Sequence, residues 1–474
     1  MREVEIQPVP LERLAGLLPP ERAQRLAEYQ RLAVGEVFRG RTVWNINATS
    51  KGGGVAEMLQ YILAYTLGAG VEARWLVLDG DHDFFMITKR LHNFLHGSPG
   101  DGGPLGAEQR EHFARVLSYN LPMAEQVVKP HDVVLLHDPQ TAGLVDGLRR
   151  LGARVVWRCH IGRDTTDALT EMGWSFLREF IERADGFIFS RKEYVPHWVP
   201  ADKVLIIAPS IDPFSAKNID LSEARVRASL AQAGLVDDHA DPGELGFTRR
   251  DGAPGEVRPH RGLVYGDGPI PGDARLVVQV SRWDRLKDMP GVLRGFTDHL
   301  DALPPDVHLA LVGPEAAGVS DDPEGAAVFD ECTSLWERQT PEVQQRVHLI
   351  SLPMDDVDEN AHLVNALQRH ASVVVQKSLV EGFGLTVTEA MWKGRPVIAS
   401  AVGGIKDQIV DGVHGLLIED PSDLDEFGAA LARVFADDAL AAKLGEAARE
   451  RVTDQFLGDR HLIQYVELFA SLVA

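Results

Sequence analysis

Cysteine is almost missing from this chain: Cys159 and Cys332 are the two among 474 residues. They lie far apart, which argues against a disulfide framework and for a reducing compartment. No run of about 18 apolar residues is present to cross a bilayer. The start lacks a basic segment leading into an apolar core and a small-residue cleavage site. A cytoplasmic protein without membrane contact is the expectation. Basic residues are also few, 48 Lys and Arg against 70 Asp and Glu, for a formal charge of -22. Without a strong basic patch a phosphate backbone would be repelled, so nucleic acid is not an expected partner. Neither the G-x4-G-K-[ST] spacing of a P-loop nor a G-x-G-x-x-G dinucleotide fingerprint occurs. Short repeats and low-complexity runs are missing too.

What is present is a large apolar share, 45% of the residues, enough for two or three domains with full cores. Around Pro19-Pro20 the leucines and alanines of residues 1–40 fall at helical spacing, which predicts two short helices packed on the first domain. Strand-length apolar runs follow at 42–46, 71–78, 133–136, 155–159, 186–189 and 204–207. A second series runs 276–280, 308–312, 347–350, 373–375, 396–399 and 415–418. Helical patterns lie between them, and such alternation predicts an α/β protein with parallel sheets covered on both faces. From 236 to 273 the chain is rich in Gly, Pro, Asp and Arg without periodicity, which reads as a loop insertion. The end is helical from about Leu424, with a last helix near His461–Leu472.

Parallel sheets collect ligands at the carboxyl ends of their strands, and several polar residues fall there. After Val373-Val374-Val375 come Glu381, Gly382, Phe383 and Gly384, then a helix from about Leu385 that contains Glu389. A glycine turn feeding a helix start aims unpaired N–H groups and the positive dipole end in one direction, a seat for phosphate. Glu381 in the loop and Glu389 in the helix are acceptors for hydroxyls on adjacent carbons. Taken alone, E-x7-E is a loop charge and a solvated helix residue. Ser281 to Asp288 follows another strand and offers Arg282 and Lys287, cations able to stabilise negative charge in a poorly hydrated cleft. Gly52, Gly53 and Gly54 form a strand-to-helix turn that lets a ligand approach the backbone. His137, Asp138 and His160 sit at two further strand ends, where the plain alternative is buried histidines bonded to backbone. His92 and His96 have the i, i+4 spacing of a metal grip but no third ligand nearby, so no metal site is assigned. The loop Gly97–Gly106 and the turn at Gly403-Gly404 are further candidates to shape a pocket.

The run E-G-F-G-L-T-V-T-E-A-M-W-K-G-x-P-V-I resembles the E-x7-E signature of retaining glycosyltransferases of the GT-B architecture. With VWNINATSKGGGVAEML, VLLHDPQ, VWRCHI, PSIDP and VSRWDRLKD it is similar, more narrowly, to the glycosyltransferring trehalose synthases, over most of the chain beyond Arg41. The resemblance implies two Rossmann-like domains facing each other across a cleft. They are expected at 1–213, completed by a C-terminal helix about 457–474, and at 214–456. It implies transfer of glucose from UDP-, ADP- or GDP-glucose to free glucose without a required cofactor, and a homodimer. Arg282, Lys287 and Glu381 would be catalytic; His160, Gly382, Phe383, Gly384, Leu385 and Glu389 would bind the donor. The phosphate or acceptor loop would comprise Gly52, Gly53, Gly54 and Asp138. A phosphorylase using glucose 1-phosphate, another acceptor, and a non-catalytic sugar-nucleotide sensor stay open as alternatives.

Overall fold

The computed structural model describes residues 1–50, 53–266, 268–315 and 323–473. The chain divides into two compact units, Met1–Ile211 with Phe456–Ala474, and Asp212–Gln455.

In the first unit seven strands lie in the order Arg2–Val4, Ala73–Val77, Val43–Asn47, Val133–His137, Arg154–Cys159, Gly186–Phe189 and Val204–Ile206. All pair in parallel except Arg2–Val4, an edge strand antiparallel to Ala73–Val77 that the sequence pattern does not announce. The strand Val133–His137 is buried along its whole length, which is why its apolar run is continuous instead of alternating. Val134 and Leu136 pack on one face with Trp157, Phe113 and Phe176. Val133 and Leu135 pack on the other with Leu59, Ile62 and Phe469 of the C-terminal helix Gly458–Val473. The two expected N-terminal helices are Leu11–Ala15 and Pro20–Leu32, the latter starting on Pro20, whose missing N–H costs nothing at a first helical position.

The second unit has its own seven-stranded sheet, ordered Val264–Tyr265, Val347–Leu352, Val307–Pro314, Arg275–Val280, Val373–Gln376, Val397–Ser400 and Leu416–Ile418. Only the edge pair of Val264–Tyr265 with Val347–Leu352 is antiparallel. The segment 236–273, expected as a loop insertion, is not structureless. Gly246–Thr248 and Pro254–Glu256 form a hairpin, and Ile270–Pro271 pairs with Val236–Asp237. Leu245, Val257 and Ile270 are buried beneath it.

Both sheets share a topological feature that places ligands. Val43–Asn47 lies between Ala73–Val77 and Val133–His137, and Arg275–Val280 lies between Val307–Pro314 and Val373–Gln376. The connections leaving each pair of neighbours run to opposite sides, so a crevice opens at the carboxyl ends of Val43–Asn47 with Val133–His137 and of Arg275–Val280 with Val373–Gln376.

Candidate functional site

At the switch point of the second unit two loops meet. One follows Arg275–Val280 and carries Arg282, Asp284, Lys287 and Asp288; the other follows Val373–Gln376 and carries Lys377, Ser378 and Glu381. The Lys287 ammonium donates to Glu381 Oε2 at 2.5 Å, and the Ser378 hydroxyl donates to the same oxygen at 3.2 Å. Behind them Gln376 accepts from the Thr386 hydroxyl at 2.8 Å and donates to Ser378 at 2.9 Å. Glu381 is therefore held as an acceptor-only carboxylate by one cation and a hydroxyl relay. Arg282 lies on the same loop as Lys287. Its side chain is 54% exposed and reaches Asp284 on its own loop at 3.3 Å.

The turn Gly382–Gly384 is built for close approach. Gly384 has φ +85°, and a Cβ on Gly404 would lie 2.6 Å from the Phe383 Cα, so the Gly403-Gly404 turn packs directly on the loop. Gln408 locks it further, donating to the Phe383 carbonyl at 2.5 Å while accepting from Thr388 at 2.7 Å. The helix Leu385–Trp392 starts without a side-chain cap, as an anion-receiving N-terminus should. Glu389, far from being a solvated helix residue, is 4% exposed and faces Lys217 at 3.7 Å. Beside it Lys393 is buried, donating to Gln368 at 2.8 Å, to Asn218 at 3.2 Å and to the Glu389 carbonyl at 3.1 Å. Burial pushes its pKa down to about 7, against the attraction of Glu389.

In the first unit His137 and His160 stack, with Nδ1 of His137 3.1 Å from Nε2 of His160, and His137 Nε2 is 3.0 Å from Asn45 Oδ1. Burial first, and Arg158 second, hold both histidines well below their ordinary pKa, so they are neutral. The amide oxygen of Asn45 can only accept. His137 thus carries its proton on Nε2, His160 donates from Nε2, and His160 Nδ1 is left as an acceptor. Asp138 has φ +63°, unusual for a non-glycine residue. Its carboxylate accepts from the His160 backbone N–H at 2.7 Å, and its carbonyl from Trp157 at 3.2 Å. Burial raises its pKa to about 7 in spite of that N–H and Arg158. Gly53, at φ +81°, opens the helix Gly54–Gly68 with free space where a Cβ would stand, while Lys51 and Gly52 lie outside the described residues.

The two histidines of the i, i+4 pair, His92 and His96, contact edge to face at 4.7 Å at the end of helix His82–Leu95. D-x-D spacings of the kind many metal-dependent transferases use do occur, at Asp79-Gly80-Asp81, Asp81-His82-Asp83, Asp356-Val357-Asp358 and Asp423-Leu424-Asp425. Asp79 binds the N-terminal ammonium, and Asp81 caps the helix by accepting from Phe84 at 2.8 Å. Among the described residues no group of three or more His, Cys, Asp or Glu is placed to hold a metal ion. Nor, among them, is any helix long and apolar enough to cross a membrane.

Sequence reasoning missed Lys377, Asp288, Lys217, Gln279 and Asn45, all of which touch or brace these clusters. A faint signal existed for Lys377, a lysine directly after an apolar strand, but its partner Asp288 is 89 residues away.

Comparison with known proteins bears on the family and the fold. A family model described as the trehalose synthase N-terminal domain matches residues 45–196, and one described as glycosyl transferases group 1 matches 266–451. A trehalose synthase of Pyrococcus horikoshii is 35% identical over 437 residues, 92% of this chain and 91% of that protein. A trehalose phosphorylase of Pleurotus pulmonarius is 28% identical over 86% of this chain but 54% of its own length. Among solved structures, the sucrose-phosphate synthase of Thermosynechococcus elongatus superposes with TM-score 0.63 at 20% identity, over 91% of this chain and 99% of that one. With two seven-stranded, mostly parallel sheets, the fold is the expected α/β GT-B class.

Proposed function

The chain belongs to the trehalose synthase family of glycosyltransferases, and from that premise we propose that it moves a glucosyl unit from a nucleoside-diphosphate glucose to free glucose. The product is trehalose, formed reversibly and with retention at the reacting carbon; the candidate donors are UDP-, ADP- and GDP-glucose. The observation that carries this reading is the Lys287 and Glu381 pair beside an uncapped helix start at a switch point. It combines a cation, N–H groups and a carboxylate where a sugar diphosphate needs all three.

In this mechanism the bond from sugar carbon to phosphate oxygen breaks and its electron pair leaves with the diphosphate. Lys287, the amides of the Gly382–Leu385 turn and Arg282 stabilise that growing charge, which makes a divalent ion dispensable. The acceptor hydroxyl bonds to the same face of the sugar carbon, and its proton passes to a phosphate oxygen of the leaving group. No protein nucleophile takes part. Glu381 orients donor hydroxyls, and Glu389 takes the ribose once it parts from Lys217. Neutral His160 accepts from a donor hydroxyl at Nδ1, while Asp138 and the Gly53-Gly54 turn are assigned to phosphate or acceptor binding.

Carbon NMR of the products after mixing the enzyme with each nucleotide donor and glucose tests the reading. Trehalose formed with a nucleotide donor, undiminished by EDTA, is the expected result. Turnover with glucose 1-phosphate alone would favour the phosphorylase reading that the Pleurotus similarity supports. Binding without turnover would make the protein a sensor. Replacing Glu381 by Ala should leave folding intact and lower kcat by about 100-fold or more; near-normal turnover would remove Glu381 from the mechanism.

A further inference from the structure

The two loops of the second unit exchange ion pairs crosswise. Lys287 and its neighbour Asp288 stand on one loop, Lys377 and Glu381 on the other; Lys287 binds Glu381 and Lys377 binds Asp288. The two pairs are not equivalent. Side-chain exposure is 18% for Lys287 and 11% for Glu381, so both partners of that pair are reachable; in the other pair Asp288 is 19% exposed but Lys377 is sealed at 1%.

The inner pair is also the better braced. Asp288 has φ +49°, a left-handed conformation that side chains avoid, and its carboxylate caps helix Met289–Asp298 by accepting from Gly291 at 3.1 Å. Buried Gln279 ties both loops to the central strand, donating to the Lys287 carbonyl at 2.8 Å and accepting from the Lys377 backbone N–H at 3.0 Å. The Leu379 N–H donates to the Leu286 carbonyl at 2.8 Å, closing the seam.

We propose that Lys377 and Asp288 are a positioning pair that keeps Lys287 and Glu381 in register while a sugar diphosphate replaces the bond between them. This rests on the role given to Lys287 and Glu381 above. In the resting protein those two satisfy each other. A donor separates them: its phosphate oxygens take the ammonium and its hydroxyls take the carboxylate. At that moment the outer cross-link between the loops is lost. The inner one persists, because Lys377 is buried and Asp288 is fixed by its cap on Gly291, and it holds the reacting groups within the fraction of an ångström that transfer demands.

The experiment is a double-mutant cycle on the intact enzyme, with whichever of UDP-, ADP- or GDP-glucose turns over fastest and free glucose as acceptor. Lys377→Met is expected to lower kcat by about 100-fold, the loss that misplacement near 1 Å produces, with the KM for glucose unchanged and partial recovery in Lys377→Arg. If Lys377 acts through Lys287, the variant carrying both Lys287→Ala and Lys377→Met loses little beyond Lys287→Ala alone. Losses that multiply would overturn the proposal and leave the functional reading standing. Full turnover by Lys287→Ala would instead overturn both. Should Lys377→Met fail to fold by circular dichroism, Asp288→Asn, which keeps an oxygen for the Gly291 cap, completes the same cycle.

Discussion

At Asp138 burial lifts a carboxyl group to about 7, while the His160 N–H at 2.7 Å and the Arg158 charge pull it back. The folded protein therefore holds this proton between the unfolded value of 3.8 and about 7. Stability contributed by the group is full below that window and declines as pH rises through it. Asp138→Asn removes the titration, so its stability relative to the parent should improve from pH 4 to pH 8, as read by urea unfolding at several pH values. A difference independent of pH would mean that Asp138 ionises like a surface carboxylate. The same residue should place an inflection near pH 7 in kcat/KM that the Asp138→Asn variant lacks. His137 and His160, held neutral by burial, do not compete for that inflection, and if Lys393 were its source it would survive in the Asp138→Asn enzyme. His160 and Asp138 were legible in the sequence because each ends an apolar strand. Lys377 and Lys217 were not, because what sets them apart from ordinary surface lysines is a carboxylate contributed by a distant segment.

Elements show the same division. Long strands announce themselves by continuous apolar runs, and the helix after Gly384 by its glycine turn. The edge strands Arg2–Val4 and Val264–Tyr265, of three and two residues, carry too few side chains for a period and exist because a neighbour pairs with them. The 236–273 segment is held in the same way, by charge. Arg249 makes a two-pronged pair with Asp356 at 2.8 and 2.6 Å. Glu359, 1% exposed, accepts from the Arg258 N–H and its Nε, both at 2.7 Å, and lies 3.1 Å from His260 Nε2. Arg249 first among several hydrogen-bonding groups holds the Asp356 pKa down to about 2. Its share of stability is thus present above the unfolded value of 3.8 and disappears as pH falls through about 2. Glu359→Ala removes the acceptor of three donors, and because Arg258 is 46% exposed and still pairs with Asp355 it should cost about 1–2 kcal/mol. Hydrogen exchange localises the effect: amides of 246–258 should exchange faster, while those of Val373–Gln376 respond only through global stability. Unchanged protection at 246–258 would show that apolar packing of Leu245 and Val257, not charge, holds the segment.

Over the whole molecule the chain leaves the first unit after Ile211 and re-enters it at Phe456, and the Ile211 N–H donates to the Phe456 carbonyl at 2.9 Å. The returning helix Gly458–Val473 covers one face of the first sheet with Tyr465, Val466 and Phe469, a burial that an amphipathic pattern at the end of a sequence permits but does not locate. Its polar contribution was not legible at all. Arg158 is fully buried, and its guanidinium is met by the His461 ring at 2.7 Å, the Tyr465 hydroxyl and the Ile207 carbonyl at 3.1 Å, while its Nε has no hydrogen bond. Among the described residues no carboxylate pairs with it, so the cation depends on neutral acceptors, two of which come from the far end of the chain. His461 accepts at Nε2, and burial with Arg158 beside it keeps the ring neutral. Its proton is therefore on Nδ1, donated to Ser210 Oγ at 2.7 Å, which in turn meets the Tyr61 hydroxyl at 2.6 Å. Removing the ring strands a buried charge, so His461→Ala should lower stability by about 3 kcal/mol. His461→Gln keeps a carbonyl for Arg158 and an N–H for Ser210 and should lose about 1 kcal/mol or less. Urea titration separates the two variants by midpoint at equal slope. If Ala and Gln prove equally mild, water solvates Arg158 in the folded protein, and the C-terminal helix contributes its apolar face alone.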